Sequence, residues 1–303
     1  MIGTLFGALA VLGMATPADA QIALRGSLPI AGARTVEVRP APPKKIHPES
    51  IGMRTTAQSA FVADIASGKV LYEKNPHRVL PVASLTKLVT AMVFLDTDPD
   101  LTRTVIVKEE DQDHESRQVY PDGEVLTLED VLRSMLVGSV NTSANILARV
   151  TGGDAFIDAM NTKVKDDMGL QSPVFVDPTG LDPKNQASAA DVAAILSKAL
   201  SYDKIREFSQ LREVVVHSAT SKKEYRVRST NMLLSSYLNA KPYGIVVAKT
   251  GSLPEAGFNM AQVTKNEEGH QIVAVELGST DTFSRFQDIK ALTTWAFDTY
   301  RWQ

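Results

Sequence analysis

Pro81-Val82-Ala83-Ser84-Leu85-Thr86-Lys87 sets a serine and a lysine three residues apart where a helix should begin. Positions i and i+3 stand one turn apart on the same helix face, so the Ser84 hydroxyl and the Lys87 amine can meet as nucleophile and base. Pro81 suits a helix entry, and the helix dipole favours negative charge developing at the first turn. Leu85, Leu88, Val89, Met92 and Leu95 recur at helical spacing, which predicts an opposite face buried in apolar core and a rigidly held pair. The S-x-x-K spacing is common. Alone it equally describes a helix-start serine beside a solvated lysine.

Around this stretch lies an ordinary globular composition. The chain has 303 residues, 44% of them hydrophobic, enough for one large domain or two small ones. A formal charge of -3 and a pI near 6.0 give no polybasic signature, so nucleic acid and anionic membrane surfaces are not implied partners. Cysteine is absent, which excludes disulfides, thiolate catalysis and zinc–cysteine sites.

Toward the amino terminus, Ile2 to Met14 is an apolar run followed by Ala18-Asp19-Ala20, the A-x-A form cut by signal peptidase, although no Lys or Arg precedes the run. An export signal over 1–20 is expected, too short for a bilayer span. Residues 21–55 carry Arg39-Pro40-Ala41-Pro42-Pro43-Lys44-Lys45, and proline at this density predicts a flexible tether. The folded domain is expected over 56–303.

Within it, Ser59 to Asp64 and Lys69 to Glu73 flank the turn Ala66-Ser67-Gly68 and read as a hairpin. From Thr127 to about Leu238 the pattern is mostly helical, with Thr127 a candidate cap for Leu128 to Val137 and further helices over 143–150, 154–168 and 188–200. Strands return at Ile245 to Ala248, Phe258 to Thr264 and Gln271 to Leu277, and a helix from about Phe283 to Tyr300 closes the chain. Strands at both ends and helices between predict an α+β fold, with one antiparallel sheet built from both ends of the domain, flanked by helices, and a helical lobe inserted between.

Two further elements give the first stretch company. Ser139-Val140-Asn141 follows an apolar helix that Gly138 can end, so a loop there would project a hydroxyl and an amide into a cleft. Lys249-Thr250-Gly251 ends a predicted strand, where Gly251 lets a ligand approach the backbone closely. Each alone is also an ordinary turn or strand end. Asp111, Asp113, His114 and Glu115 resemble metal ligands in type, but they lack a helix-spaced second histidine and read as a solvated loop.

S-x-x-K, a Ser-x-Asn element and K-T-G, in this order, form a known signature. On it the chain resembles the low-molecular-mass penicillin-binding proteins, the serine D-alanyl-D-alanine carboxypeptidase and endopeptidase family. The likeness covers about Thr56 to Tyr300 and takes in Asp177-Pro178-Thr179-Gly180-Leu181 and Ser229-Thr230-Asn231.

The resemblance implies that Ser84 attacks the carbonyl of the penultimate D-alanine of a peptidoglycan stem peptide while Lys87 accepts its proton. Ser139 would relay a proton to the leaving amine, and Asn141 would bind the substrate backbone. Lys249 and Thr250, with Gly251, would hold the terminal carboxylate, and the N–H groups of Ser84 and Ser252 would hold the oxyanion. Burial and the like charge of Lys249 are the two expected causes of a lowered Lys87 pKa. No metal or cofactor is called for, and β-lactam antibiotics are implied as covalent inhibitors.

The chain departs from the family at Ser252-Leu253-Pro254, where an aromatic or histidine and then threonine usually follow K-T-G, and at Thr142, often Asp. Carboxypeptidase activity is the main reading, with cleavage of D-alanyl-diaminopimelyl cross-links as the alternative. A β-lactamase lacks support because no E-x-x-L-N element lies between Asn141 and Lys249, and a non-catalytic peptidoglycan-binding protein also ranks low because every motif residue is present. The export signal, and the absence of an amphipathic anchor after Trp302-Gln303, resemble the soluble periplasmic endopeptidases; the expected location is the periplasm, with no stable membrane anchor once the signal is removed.

Overall fold

The computed structural model describes residues 40–114 and 118–303; the expected export signal, the first part of the tether and Glu115 lie outside them. In chain order the longer elements are β1 (Ser59–Asp64), β2 (Val70–Lys74), α1 (Lys87–Leu95), α2 (Leu128–Gly138), α3 (Asn141–Thr151), α4 (Phe156–Thr162), α5 (Ala189–Ala199), α6 (Asp203–Ser209), β3 (Glu213–His217), β4 (Glu224–Arg228), β5 (Tyr243–Leu253), β6 (Gly257–Asn266), β7 (Gln271–Ser279) and α7 (Thr282–Thr299). The main sheet runs β5-β6-β7-β1-β2, antiparallel throughout, so both ends of the domain build it and the helical lobe is inserted between them.

Its central strands are buried on both faces, which is why Ala60 to Ala63 and Ile272 to Leu277 read as nearly unbroken apolar runs. Side chains alternate between two cores. Ala60, Val62, Met260, Ile272 and Ala274 pack with Phe286, Ile289, Leu292 and Ala296 of α7. Ala63, Ala261, Val263, Val273 and Val275 pack with the lobe, including Val192 and Leu196 of α5. Each large apolar side chain so covered contributes about 1.5–3 kcal/mol.

Helix α1 differs from expectation. Rather than one apolar face, every residue from Lys87 to Phe94 is buried, because neighbouring helices surround it. Its polar members are therefore bonded; Thr90 donates to the Pro178 carbonyl at 2.6 Å. Helix α2 begins as predicted, with the Asp130 N–H donating to Thr127 Oγ1 at 3.1 Å. Helix α5 carries a reciprocal cap, in which Asp191 N–H donates to Ser188 Oγ at 3.1 Å and Ser188 N–H to Asp191 Oδ2 at 2.9 Å.

Two expectations are corrected. The stretch read as helical contains the β3–β4 hairpin, in which Val214 and Val216 are buried at period two. The tether expected through residue 55 is packed against the domain from Pro43 onward. Lys44–Lys45 pair with Tyr300–Arg301, the Lys69 ammonium donates to the Pro43 carbonyl at 2.7 Å, and Trp295 Nε1 donates to Ser50 Oγ at 2.6 Å. Prolines rule out a long ladder there, but side chains of the domain anchor the extended backbone from outside.

Candidate active site

Ser84 lies in a one-turn 3-10 helix, Ala83–Thr86, that runs into α1 at Lys87, rather than in the α-helix itself. In 3-10 geometry side chains at i and i+3 eclipse, and Lys87 Nζ accordingly donates to Ser84 Oγ at 2.9 Å. The turn is entered through Ala83 in the left-handed region, φ 49°, a conformation that costs a non-glycine residue about 1–2 kcal/mol. Bonds to the two residues before it hold it: Val82 N–H to the Asn185 carbonyl at 2.9 Å and Asn259 Nδ2 to the Pro81 carbonyl at 3.0 Å. Two glycines press against the same turn. A Cβ on Gly180 would lie 2.0 Å from the Ala83 carbonyl oxygen, and one on Gly251 would lie 2.8 Å from the Val82 oxygen and 3.0 Å from the Ser84 nitrogen. Gly251 thus admits this turn, not only a ligand, against the strand.

Lys87 is fully buried. Besides Ser84 it donates to Asn141 Oδ1 at 2.7 Å and to the Thr179 carbonyl at 2.5 Å. Burial brings its pKa down to about 7, against the opposing pull of the Asp177 and Asp113 carboxylates. Like charge, expected as a second cause, couples Lys87 to Lys249. That residue, also buried, is held well below its ordinary value by desolvation first and then by the charges of Lys87 and Arg285.

Asn141 opens α3 instead of lying in a loop, and its amide is shared between Lys87 and Asp113, with Nδ2 donating to Asp113 Oδ2 at 2.9 Å. Expected as a substrate contact, it holds the base lysine here. The polar stretch read as solvated therefore forms one wall of the site. Asp111 is buried and pairs with Arg149 at 2.7 Å, and Gln112 Oε1 accepts from Thr142 at 3.3 Å.

On the facing side, Lys249 Nζ donates to Ser139 Oγ at 2.7 Å and to the Thr250 carbonyl at 2.9 Å. Ser139, not Gly138, takes the left-handed position that ends α2, φ 60°. Gly138 is needed for packing, since a Cβ there would meet Val227 Cγ1 at 2.1 Å. Lys249, Thr250 and Gly251 lie inside β5, which continues to Leu253 because Gly251, Ser252 and Leu253 still pair with Asn259, Phe258 and Gly257. Thr250 Oγ1 stands 2.6 Å from Thr230 Oγ1. A cleft of about 440 Å³ opens beside Ser139 and Asn141, walled by Val119, Arg226 and Arg228.

Ser84 and Asn141 thus bond to Lys87, and Ser139 to Lys249, forming two bonded groups whose lysines are coupled by charge. Sequence reading missed three contributors. The Thr179 carbonyl is presented by a turn organised around Asp177, which accepts from the N–H groups of Thr179 and Gly180 at 2.7 Å each and of Asp182 at 2.9 Å. Burial pushes this carboxyl up, but the hydroxyl of Thr179, which donates to Oδ1 at 2.5 Å, and then those N–H bonds outweigh it, and its pKa lies below the ordinary value. Asp followed by Pro, Thr and Gly is an Asx-turn signature that marks the turn. Asp113 and Arg285 carry no such local signal, since only the fold brings them to the site.

A family model described as D-alanyl-D-alanine carboxypeptidase matches residues 44–281. D-alanyl-D-alanine endopeptidases of Pseudomonas aeruginosa and Escherichia coli are each 32% identical, over 242 and 244 residues, covering 78% of this chain and 76% of theirs. The D-alanyl-D-alanine carboxypeptidase DacF of Bacillus subtilis is 28% identical over 252 residues, 80% of this chain and 63% of its own. Among solved structures, a Streptomyces DD-transpeptidase at 23% identity shares the fold with a TM-score of 0.76, covering 82% of this chain and 100% of its own. A penicillin-binding protein of Listeria monocytogenes with cefotaxime bound is 26% identical with a TM-score of 0.71, over 82% of this chain and 100% of its own.

Proposed function

Because the chain belongs to the D-alanyl-D-alanine carboxypeptidase family, we propose that it is a serine D,D-carboxypeptidase that hydrolyses the bond after D-alanine in peptidoglycan stem peptides. The observation that carries this reading is a fully buried lysine with a pKa of about 7, bonded to the hydroxyl of Ser84 at 2.9 Å. Near neutral pH about half of such lysines are free bases, whereas an exposed lysine is almost wholly protonated.

In the proposed sequence Lys87 takes the Ser84 proton as Oγ bonds to the carbonyl carbon. The oxyanion is held by the N–H groups of Ser84 and Ser252. Collapse breaks the C–N bond, and the proton Lys87 took from Ser84 passes by way of Ser139, which Lys249 holds in place, to the departing amine of D-alanine, leaving Lys87 a free base again. Water then attacks the ester with Lys87 again as base, returning the proton to Ser84. Lys249 and Thr250 receive the terminal carboxylate, and that negative charge favours the charged form of Lys249 and offsets the cost of its burial. Asn141, bonded to both Lys87 and Asp113, keeps the base in register.

Peptide substrates and β-lactams present a carbonyl and a carboxylate at similar separation, so we expect penicillins to acylate Ser84 as well. The names of the relatives at 32% identity favour a second reading, the endopeptidase that cuts a D-alanyl cross-link; the chemistry is the same and the leaving group differs. The A-x-A element at 18–20 supports export to the periplasm.

Intact-mass analysis after exposure to a penicillin, with peptide mapping, tests the reaction class. One adduct on the peptide containing Ser84 is expected, and Ser84→Ala should show none. Failure of the folded protein to form an adduct would leave a binding protein as the better reading. Release of D-alanine from uncross-linked stem peptides, against cleavage of cross-linked muropeptides, then separates carboxypeptidase from endopeptidase.

A further inference from the structure

Arg285, in the first turn of α7, points inward and is only 7% exposed. Its guanidinium lies 4.8 Å from the ring centroid of Phe286 and 5.5 Å from that of Phe258. Nη1 donates to the Gly251 carbonyl at 3.0 Å and more distantly to the Asn259 carbonyl at 3.4 Å. Burial alone brings the guanidinium down to about 10. A buried cation that bonds backbone carbonyls through Nη1 alone, lies against ring faces and leaves its Nε without a partner is a costly way to fill space, which an apolar side chain would fill more cheaply.

Its partners show what the charge does. The pairing of β6 with β7 shifts register between Phe258 and Met260, leaving Asn259 in the irregular stretch. There Asn259 reaches the Pro81 carbonyl with Nδ2 at 3.0 Å and accepts from the Gly278 N–H at 2.8 Å. Arg285 therefore joins the strand holding Lys249 to the residue that pins the Ser84 turn. More directly, the Gly251 carbonyl and the Ser252 N–H belong to one peptide unit.

We infer that Arg285 is a positioning residue for the oxyanion site: bonded to the Gly251 carbonyl, it orients the Gly251–Ser252 peptide and strengthens the Ser252 N–H as a donor to the reacting carbonyl. Charged donors make the stronger hydrogen bonds, and a bond at one end of a peptide polarises the group at the other. A donor fixed before reaction stabilises the transition state without reorganisation. This inference rests on the proposal that Ser84 is acylated and that Ser252 N–H contacts the acyl oxygen.

The test is infrared difference spectroscopy of the acyl-enzyme formed with an isotope-labelled penicillin, together with the acylation rate. A stronger oxyanion site lowers the ester carbonyl frequency, a quantity that simple loss of stability does not move. In Arg285→Met the band should shift to higher wavenumber and acylation should slow about tenfold, short of the hundredfold or more that loss of a whole donor brings. Arg285→Lys, which keeps the charge but not the reach, should fall between, and it is read in place of the methionine variant if that variant does not fold. Phe286→Leu removes one stacking ring and should leave the band in place whatever it does to the melting temperature. A wild-type band in a folded Arg285 variant overturns the inference. Absence of any adduct in the unaltered chain would instead overturn the reading of Ser84 on which it rests.

Discussion

Replacing Asp113 by Asn should move the pH dependence of acylation downward by about one unit. The substitution keeps an acceptor for Asn141 Nδ2 while removing the charge. Lys87 Nζ lies 2.7 Å from Asn141 Oδ1, and Asn141 Nδ2 lies 2.9 Å from the carboxylate. The two charges thus stand roughly 7 Å apart, and at an effective dielectric of about 20 they attract by about 2 kcal/mol. That is an upper bound of between one and two pH units, and water reaching the half-buried Asp113 reduces it to about one.

The sign follows from which form the carboxylate favours. Asp113 raises the pKa of Lys87 against its burial; without it, the value drops from about 7 toward about 6. Asp177 and Lys249 keep their places in both proteins, so the difference reports Asp113. Stopped-flow acylation by a chromogenic cephalosporin between pH 5 and 9 would read the acid limb. At pH 6 the free-base fraction of Lys87 rises from about a tenth to about a half, so the variant should be about fivefold faster there and equal to the parent at pH 9. An acid limb that stays put, or moves upward, in a folded Asp113→Asn would refute the assignment of Lys87 as the titrating base.

Gly180→Ala should cost about 3 kcal/mol or more and lower acylation with it, because the new Cβ lies 2.0 Å from the Ala83 oxygen at a φ of 84° and displaces the turn that presents Thr179. Gly123→Ala, with a similar φ of 82° but nothing within 4 Å, should cost about 1 kcal/mol and leave acylation unchanged; thermal melts and acylation rates of the pair check both. Lys249→Ala should slow acylation by carboxylate-bearing peptides about 30-fold or more, and an equal loss with a matched peptide lacking the carboxylate would contradict its role as the carboxylate's partner.

Much of this protein is legible locally. Nearly unbroken apolar runs mark the central strands of the main sheet and period-3.6 patterns most of the lobe, because each element must present an apolar surface whatever it packs against. Thr127 and Ser188 announce their helices because a cap bonds within three residues. The three short motifs name both lysines and both serines, since the chemistry needs those residue types. Local reading failed where a contact partner lies far along the chain. The β3–β4 hairpin follows helices in the chain, and its alternation at Val214 and Val216 is too short to stand out from them. Asp113 looked solvated because nothing near it in sequence shows that Asn141 will receive it, and the backbone around Pro43 is anchored by Lys69 and by the far end of the chain.

Residue order alone supplies the groups: a hydroxyl and an amine three residues apart, a second lysine on a strand, and an α+β order of elements. Their charge and alignment arise on folding. The pKa of Lys87 is set by complete burial among helices from distant segments and by two carboxylates 26 and 90 positions away in the chain. The close fit of Gly180 and Gly251 against the Ser84 turn, and the reach of Arg285 to the Gly251 carbonyl, likewise exist only once strands from both ends of the domain share one sheet. Desolvation and distance are properties of the folded arrangement, and no pattern of neighbouring residues encodes them.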